Sequence, residues 1–210
     1  AERYAFLLRI MERISEGKHI ARVLYRGAAE PPCADLLVLR EAMRRQNSGA
    51  TVMQGLVEGS FCVRYPIPDG TRVSCIVIGG KDVDAVRATL ESIACRATYP
   101  ELELIVCDGG ALAERREAYY AALKSYGAAK IVRLVNEPNV PRIANRAAEK
   151  AAGDALLFLP AGAALALHDT VERMLEYALL EHVCAVGGVT GREGEAQTGI
   201  IHNAACFDGP

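Results

Sequence analysis

The chain has 210 residues, 51% hydrophobic and 24% charged, with a net charge of −2. That composition is globular, with room for one domain or one domain plus an appended piece. The near-neutral balance excludes the basic footprint of a nucleic-acid binder. No apolar run reaches the roughly 20 residues of a membrane helix, and Ala1-Glu2-Arg3 opens no apolar signal segment. The chain begins at Ala1 without an initiator methionine, which predicts a piece of a longer chain or a processed one.

Residues 1–66 hold ten Lys/Arg against seven Asp/Glu, and residues 67–210 hold fourteen against nineteen. Neither part is extreme, so both read as solvated mixed surfaces. Within 1–66, Glu2–Ser15 is expected to be a helix with Phe6, Leu7, Ile10 and Ile14 as its apolar stripe. His19–Tyr25 reads as a strand and Ala28–Pro32 as a breaker. Asp35–Gln46 reads as a second helix with Leu36, Leu39 and Met43 on one side, ended by Asn47–Gly49. Ser60–Tyr65 is a short strand, and Pro66–Gly70 a linker.

From Arg72 onward, short apolar runs alternate with segments of helical period. Arg72–Ile78 is a strand closed by Gly79-Gly80. Asp82 then caps a helix with Val83, Val86, Leu90 and Ile93 on one stripe, stopped by Tyr99-Pro100. Leu102–Cys107 is a strand ending in Asp108-Gly109-Gly110, followed by a helix over 112–126 that Gly127 ends. Lys130–Val135 is a strand, Pro141–Ala152 a helix and Ala155–Leu159 a strand. Asp169, Thr170 and Glu172 start a helix with Val171, Met174, Leu175, Ala178 and Leu179 as its core stripe, and Cys184–Val189 is a last strand. The alternation argues for an α/β domain over 67–210, its mainly parallel sheet flanked by helices, with 1–66 as an N-terminal extension. Ligands bind beyond the carboxyl ends of such strands. The segments to search are therefore Gly79–Asp82, Asp108–Ala111, Asn136–Arg142 and Pro160–Leu165.

The seven cysteines form no Cys-x-x-Cys pair, and Cys75, Cys107 and Cys184 stand in apolar runs. That predicts free thiols in a reducing compartment, the cytoplasm. The four histidines show no metal-ligand spacing. The P-loop, the dinucleotide glycine fingerprint and the Gly-x-Ser-x-Gly elbow are all missing. Asp108 is the sharpest feature. At the end of an apolar strand, before two glycines, its carboxylate either faces a ligand or caps the turn.

An ordered series of segments resembles family 2 glycosyltransferases of the GT-A fold. It runs through Pro66–Ile78, Leu90–Ile93, Thr98–Asp108, Arg142–Asn145, Gly153–Leu159, His182–Gly188 and Gly199–Ala204. Tyr4–Arg9 with His19–Tyr25 resembles the end of such a domain, and 35–65 a connector between tandem modules. The chain then reads as the tail of one module, a connector and the N-terminal half of a second. The alternative is a tail that folds back to complete the second module's sheet.

The resemblance implies a Rossmann-like nucleotide-sugar domain. Such enzymes move a sugar from a nucleotide-sugar to a glycan acceptor, in polysaccharide biosynthesis in bacteria, and hold the diphosphate with Mg2+ or Mn2+ through an Asp-rich motif after the fourth strand. It places Asp108, Gly109, Lys81, Asp82, Arg142 and Asn145 around a nucleotide or nucleotide-sugar. It also exposes departures. Pro160-Ala161-Gly162 stands where the family has Asn-Asp-Asp, Arg3 and Ala5 replace acidic residues of which one would supply the general base, and Arg26 replaces a His. No cofactor is therefore expected, and the module is expected to be non-catalytic. The alternatives are a scaffold or partner-binding module without a nucleotide, or an active metal-independent transferase. Expected partners are the nucleotide ligand and other modules of the same long chain, with no nucleic acid and no membrane span. The expected location is the cytoplasm, or the inner face of the membrane through the parent chain or partners.

Overall fold

The computed structural model describes residues 2–14, 16–18, 21–22, 35–55, 59–79, 82–108, 130–133, 139–188, 190–192 and 195–197. For Asp108, 130–133, 190–192 and 195–197 it describes the backbone alone. The chain divides into two compact units, Ala1–Pro66 and Ile67–Pro210.

In the first unit, α1 spans Glu2–Met11 and α2 spans Leu36–Arg45. The first helix is shorter than its apolar period suggests, because the chain turns at Glu12 and Arg13. Its expected core stripe is not a core. Phe6, Leu7 and Ile14 are each more than half exposed, and no residue of α1 is buried. Instead Arg45 of α2 holds Glu12 with two hydrogen bonds, at 2.7 and 3.2 Å, which keeps the Glu12 carboxyl below its usual range. Helix α2 starts where Asp35 Oδ1 accepts from Leu37 N–H at 2.8 Å. It ends at Gln46, before Asn47 turns left-handed with φ 51°. A strand not expected from the sequence follows. Thr51–Gln54 (β1) pairs antiparallel with Phe61–Arg64 (β2), and Arg40 Nε donates to Val52 O at 3.2 Å. Of the expected strand His19–Tyr25 only Ala21 and Arg22 are described, and neither is in a strand; the breaker 28–32 lies outside the described residues.

The second unit is built on a parallel sheet of four strands, β3 (Val73–Ile78), β4 (Leu102–Asp108), β5 (Lys130–Arg133) and β6 (Ala155–Pro160). Their spatial order is β5-β4-β3-β6, so the first strand lies between the second and the last. Both neighbours pair along all of β3, from Val73 opposite Leu102 and Ala155 to Ile78 opposite Cys107 and Pro160.

Strand β3 is buried on both faces, which is why it reads as an unbroken apolar run. Val73, Cys75 and Val77 face a core shared with α3 (Val83–Arg96) and α5 (Thr170–Ala178), through Val86, Leu90, Ile93, Val171 and Leu175. On the other face Ile76, Ile105 and Cys107 pack with Ile143 and Ala147 of α4 (Val140–Ala148). The α/β fold with a parallel sheet flanked by helices is therefore present. A short antiparallel pair, β7 (Thr190–Arg192) and β8 (Glu195–Gln197), follows.

Three details differ from the sequence reading. Cys184–Gly188 is irregular rather than a strand, and Cys184 is exposed. An apolar run of that length does not by itself distinguish a strand from a loop segment. Helix α4 stops at Ala148, where Glu149 and Lys150 form its last turn. In α5 it is Glu176 that is buried beside Val171 and Leu175, while Leu179 lies past the helix and is exposed. The helix expected over 112–126 lies outside the described residues.

The amino end of the sheet is closed by side chains. Ser74, fully buried, donates to Glu103 and accepts from Gly153 N–H at 2.9 Å. Glu103 also accepts from Ala152 N–H at 2.9 Å, and Asp154 accepts from Arg72 N–H at 2.9 Å. A Cβ on Gly153 would stand 2.6 Å from Ser74 N. Only glycine lets the backbone come that close.

Candidate functional site at the carboxyl edge of the sheet

After β3 the chain crosses through α3 to β4, and it returns through α4 to β6 on the opposite side. The crossovers diverge between β3 and β6, which makes the carboxyl ends of these strands a topological switch point. In open α/β sheets ligands bind in the crevice at that point. Ile78, Cys107 and Pro160 stand in register there, with Asp108 one residue beyond Cys107.

Gly79 closes the β3 side. Its N–H donates to Cys107 O at 3.0 Å, and a Cβ would stand 2.4 Å from that oxygen. A side chain does not fit, and a proline could not donate. Asp82 follows as the N-cap of α3. Its Oδ1 accepts from Asp84 N–H at 2.9 Å and Ala85 N–H at 3.2 Å, so its carboxylate is used in starting the helix.

Arg142 and Asn145, both exposed, lie in the first and second turns of α4, on the face of the sheet opposite α3. Helix α4 begins at Asn139, whose side chain accepts from Arg142 N–H at 3.1 Å, with Pro141 in its first turn. The structure thus brings the start of α3, the end of β4 and the start of α4 to one edge of the sheet. Lys81 and Gly109 lie outside the described residues, and of Asp108 only the backbone is described.

The turn after β6 is built differently. Ala161 N–H donates to Ile78 O at 3.0 Å, Gly162 N–H to Ala85 O at 3.1 Å, and Ala163 N–H to Pro160 O at 3.0 Å. Three successive amides are thus satisfied inside the protein, leaving none to cradle a phosphate. The side chains of Pro160, Ala161, Gly162, Ala163 and Ala164 carry no oxygen. A hard divalent cation takes oxygen ligands, most of them carboxylates, carbonyls and waters. The residues at this turn do not fit the metal that the family resemblance implies. Among the described residues no group of three His, Cys, Asp or Glu could hold one.

Two thiols lie behind the edge. Burial pushes Cys75 up to about 12 and Cys107 up to about 11, so both stay protonated and unreactive. A cavity of about 500 Å3 runs along the outer flank of β6 against α5, lined by Leu157, Met174 and Leu175 among others. Its one ionisable carboxylate is Asp154, which serves the amino-end closure.

No family model matches the chain. Over 202 residues it is 28% identical to the O-antigen biosynthesis protein RfbC of Myxococcus xanthus, a match covering 89% of this chain and 16% of RfbC. Over 207 residues it is 28% identical to the uncharacterized protein y4gI of Sinorhizobium fredii, covering 89% of this chain and 22% of that protein. The chain therefore spans less than a quarter of the length of these relatives. Among solved structures it is similar to the mannosyltransferase PcManGT of Pyrobaculum calidifontis, solved with GDP-Man and Mn2+. That likeness has a TM-score of 0.44 at 20% identity and covers 52% of this chain and 32% of the other. No helix among the described residues is long and apolar enough to cross a membrane.

Proposed function

We propose that residues 67–210 are a family 2, GT-A glycosyltransferase-like module that binds a nucleotide or nucleotide-sugar and does not itself catalyse transfer. RfbC is an O-antigen biosynthesis protein. The reading carries that role over to the longer protein of which this chain is a piece, a bacterial polysaccharide-assembly protein acting in the cytoplasm or at the inner face of the membrane.

The observation that carries the reading is the asymmetry of the sheet's carboxyl edge. Strand β4 ends at Asp108, and β6 ends in a turn whose side chains offer no metal ligand. Asp108 is assigned to the nucleobase or ribose, with Gly109 beside it, and Lys81, Arg142 and Asn145 are assigned to the rest of the nucleotide. Asp82, whose Oδ1 caps α3, is assigned to the same site. The leaving diphosphate of a sugar transfer gains negative charge, and a metal normally offsets it. Without that offset, binding is separated from catalysis. Residues 1–66 are assigned to the tail of a preceding module and a connector, and the partners of this piece are its neighbours in the same long chain.

The test is calorimetric titration with UDP and a UDP-sugar, alongside an assay for sugar transfer. Binding that Asp108→Ala abolishes, with no turnover, supports the reading. No binding at millimolar nucleotide replaces it with a scaffold module. Turnover by this chain alone in EDTA removes the non-catalytic half of the proposal and leaves a metal-independent transferase; turnover only with Mn2+ overturns the reading of the turn after β6 as well.

A further inference from the structure

We propose that the segment after β6 is a fixed strap fastened to α3, so that the switch-point crevice takes its ligand without a divalent cation. The strap stands on the geometry alone; the cation statement deepens the nucleotide reading and rests on it.

Ala85, Thr89, Ser92 and Arg96 are spaced i, i+4, i+7 and i+11, which puts them on one stripe of α3. Each holds a piece of the segment that follows β6. Gly162 N–H is shared between Ala85 O at 3.1 Å and Thr89 Oγ1 at 2.9 Å. Ser92 Oγ accepts from Leu165 N–H at 2.8 Å. Arg96 Nη1 donates to the carbonyls of Leu165 at 3.1 Å and Ala166 at 2.9 Å. Between these ties the Leu165 side chain is 5% exposed, sunk in the core that α3 and α5 share.

A loop that gathers a cation and a diphosphate needs free donors, carboxylates or room to close. This segment has its amides at 161, 162, 163 and 165 tied, and a leucine anchor. Nor would restoring acidic residues rebuild a metal site. Ala161 packs against the core, so a carboxylate there would be partly buried in apolar surroundings. Gly162 has φ +90°, which strains any side chain placed there. The missing carboxylates and the strap are one arrangement. Small residues let the turn lie close to α3, and the hydrogen bonds hold it there.

The test uses the whole 210-residue chain and four variants. Thr89→Val and Ser92→Ala remove ties, Ala161→Asp/Gly162→Asp restores the acidic pair, and Gly162→Asn adds the side chain that a positive φ penalises least. Thermal unfolding is measured for all, Mn2+ binding by the electron paramagnetic resonance of the free ion, and UDP and GDP titrations with Mn2+ or with EDTA. Thr89→Val and Ser92→Ala are expected to melt lower, and the acidic pair lower still, with no Mn2+ bound by the wild type, the acidic variant or Gly162→Asn. Nucleotide affinity of the wild type is expected to be the same in Mn2+ and EDTA, within about twofold. Unchanged melting in both Thr89→Val and Ser92→Ala overturns the strap. So does an acidic variant that melts like wild type and binds Mn2+. Nucleotide affinity that rises about tenfold or more with Mn2+ overturns the metal-free crevice. If no nucleotide binds under either condition, the nucleotide reading and the cation statement fall together, while the strap is still decided by the melting and Mn2+ measurements.

Discussion

The two ends of the parallel sheet are closed by different means. At the amino end polar side chains make the closure, with Ser74, Glu103 and Asp154 each reaching backbone or side chains far away in sequence. At the carboxyl end the backbone makes most of it, through Gly79, Ala161 and Gly162. The difference teaches where polar residues are structural. A buried serine paired with a glutamate looks like chemistry, yet at the amino end it fastens one strand connection to another. At the carboxyl edge the described closure depends mainly on glycine and alanine, and the proposed reading assigns Asp108 and Asn145 to a ligand.

Mutations sharpen this contrast, beginning with the largest effect. Gly153→Ala forces a Cβ to within 2.6 Å of Ser74 N, so backbone must shift; a loss of about 3 kcal/mol or more in chemical denaturation is expected. Ser74→Ala leaves Gly153 N–H without its Ser74 acceptor and removes one of the donors to Glu103, which keeps Ala152 N–H, at an expected cost of about 1–3 kcal/mol. Thr89→Val is expected to cost about 1 kcal/mol, because Gly162 N–H keeps Ala85 O as a partner. Asp108→Ala should leave the melting temperature near the wild-type value while removing nucleotide binding; a large loss of stability would return Asp108 to the role of a turn cap.

The thiols give a comparison in pH. Cys75 and Cys107 are raised by burial from an ordinary value of 9.0 to about 12 and about 11. In the unfolded chain they ionise above about pH 9, while in the fold they stay protonated. Their contribution to stability is therefore complete below pH 9 and is lost progressively as pH rises above it. At pH 8 in the native state, exposed Cys95 and Cys184 should react with iodoacetamide and the two strand cysteines should not. Mass spectrometry of labelled peptides checks this, with denatured protein as the reference.

Much of the second unit is readable from residue order alone. Periodicity locates β3, α3, β4, α4, β6 and α5, and Asp82 announces its helix because an N-cap is a local interaction. What periodicity misses is long-range. Ser74 and Glu103 read as polar interruptions of strands, and only the fold brings Ala152 and Gly153 to them. Glu176 reads as part of a solvent face, yet it is buried. Cys184–Gly188 misleads in the opposite direction, an apolar run that no strand takes up. Phe6 and Leu7 keep helical spacing, yet both are more than half exposed. At the candidate site, the missing carboxylates at 160–162 are plain in the sequence. That the same turn is tied to α3 is not, because its partners lie over sixty residues earlier in the chain.

The position of β3 has a consequence for how this unit comes into being. The first strand of the sheet has the last strand as one of its two neighbours, with pairing from Val73 to Ala155 and from Ile78 to Pro160. During synthesis β3 and β4 can meet early, but one flank of β3 stays bare until residue 160 has left the ribosome. Such distant parallel pairing is intrinsically slow, since a long loop must close before any contact rewards it. Until then an apolar strand edge stands open to other nascent chains. A ribosome-bound series truncated on either side of β6 should therefore show an abrupt gain of protease resistance as Pro160 and the strap emerge, rather than a gradual one.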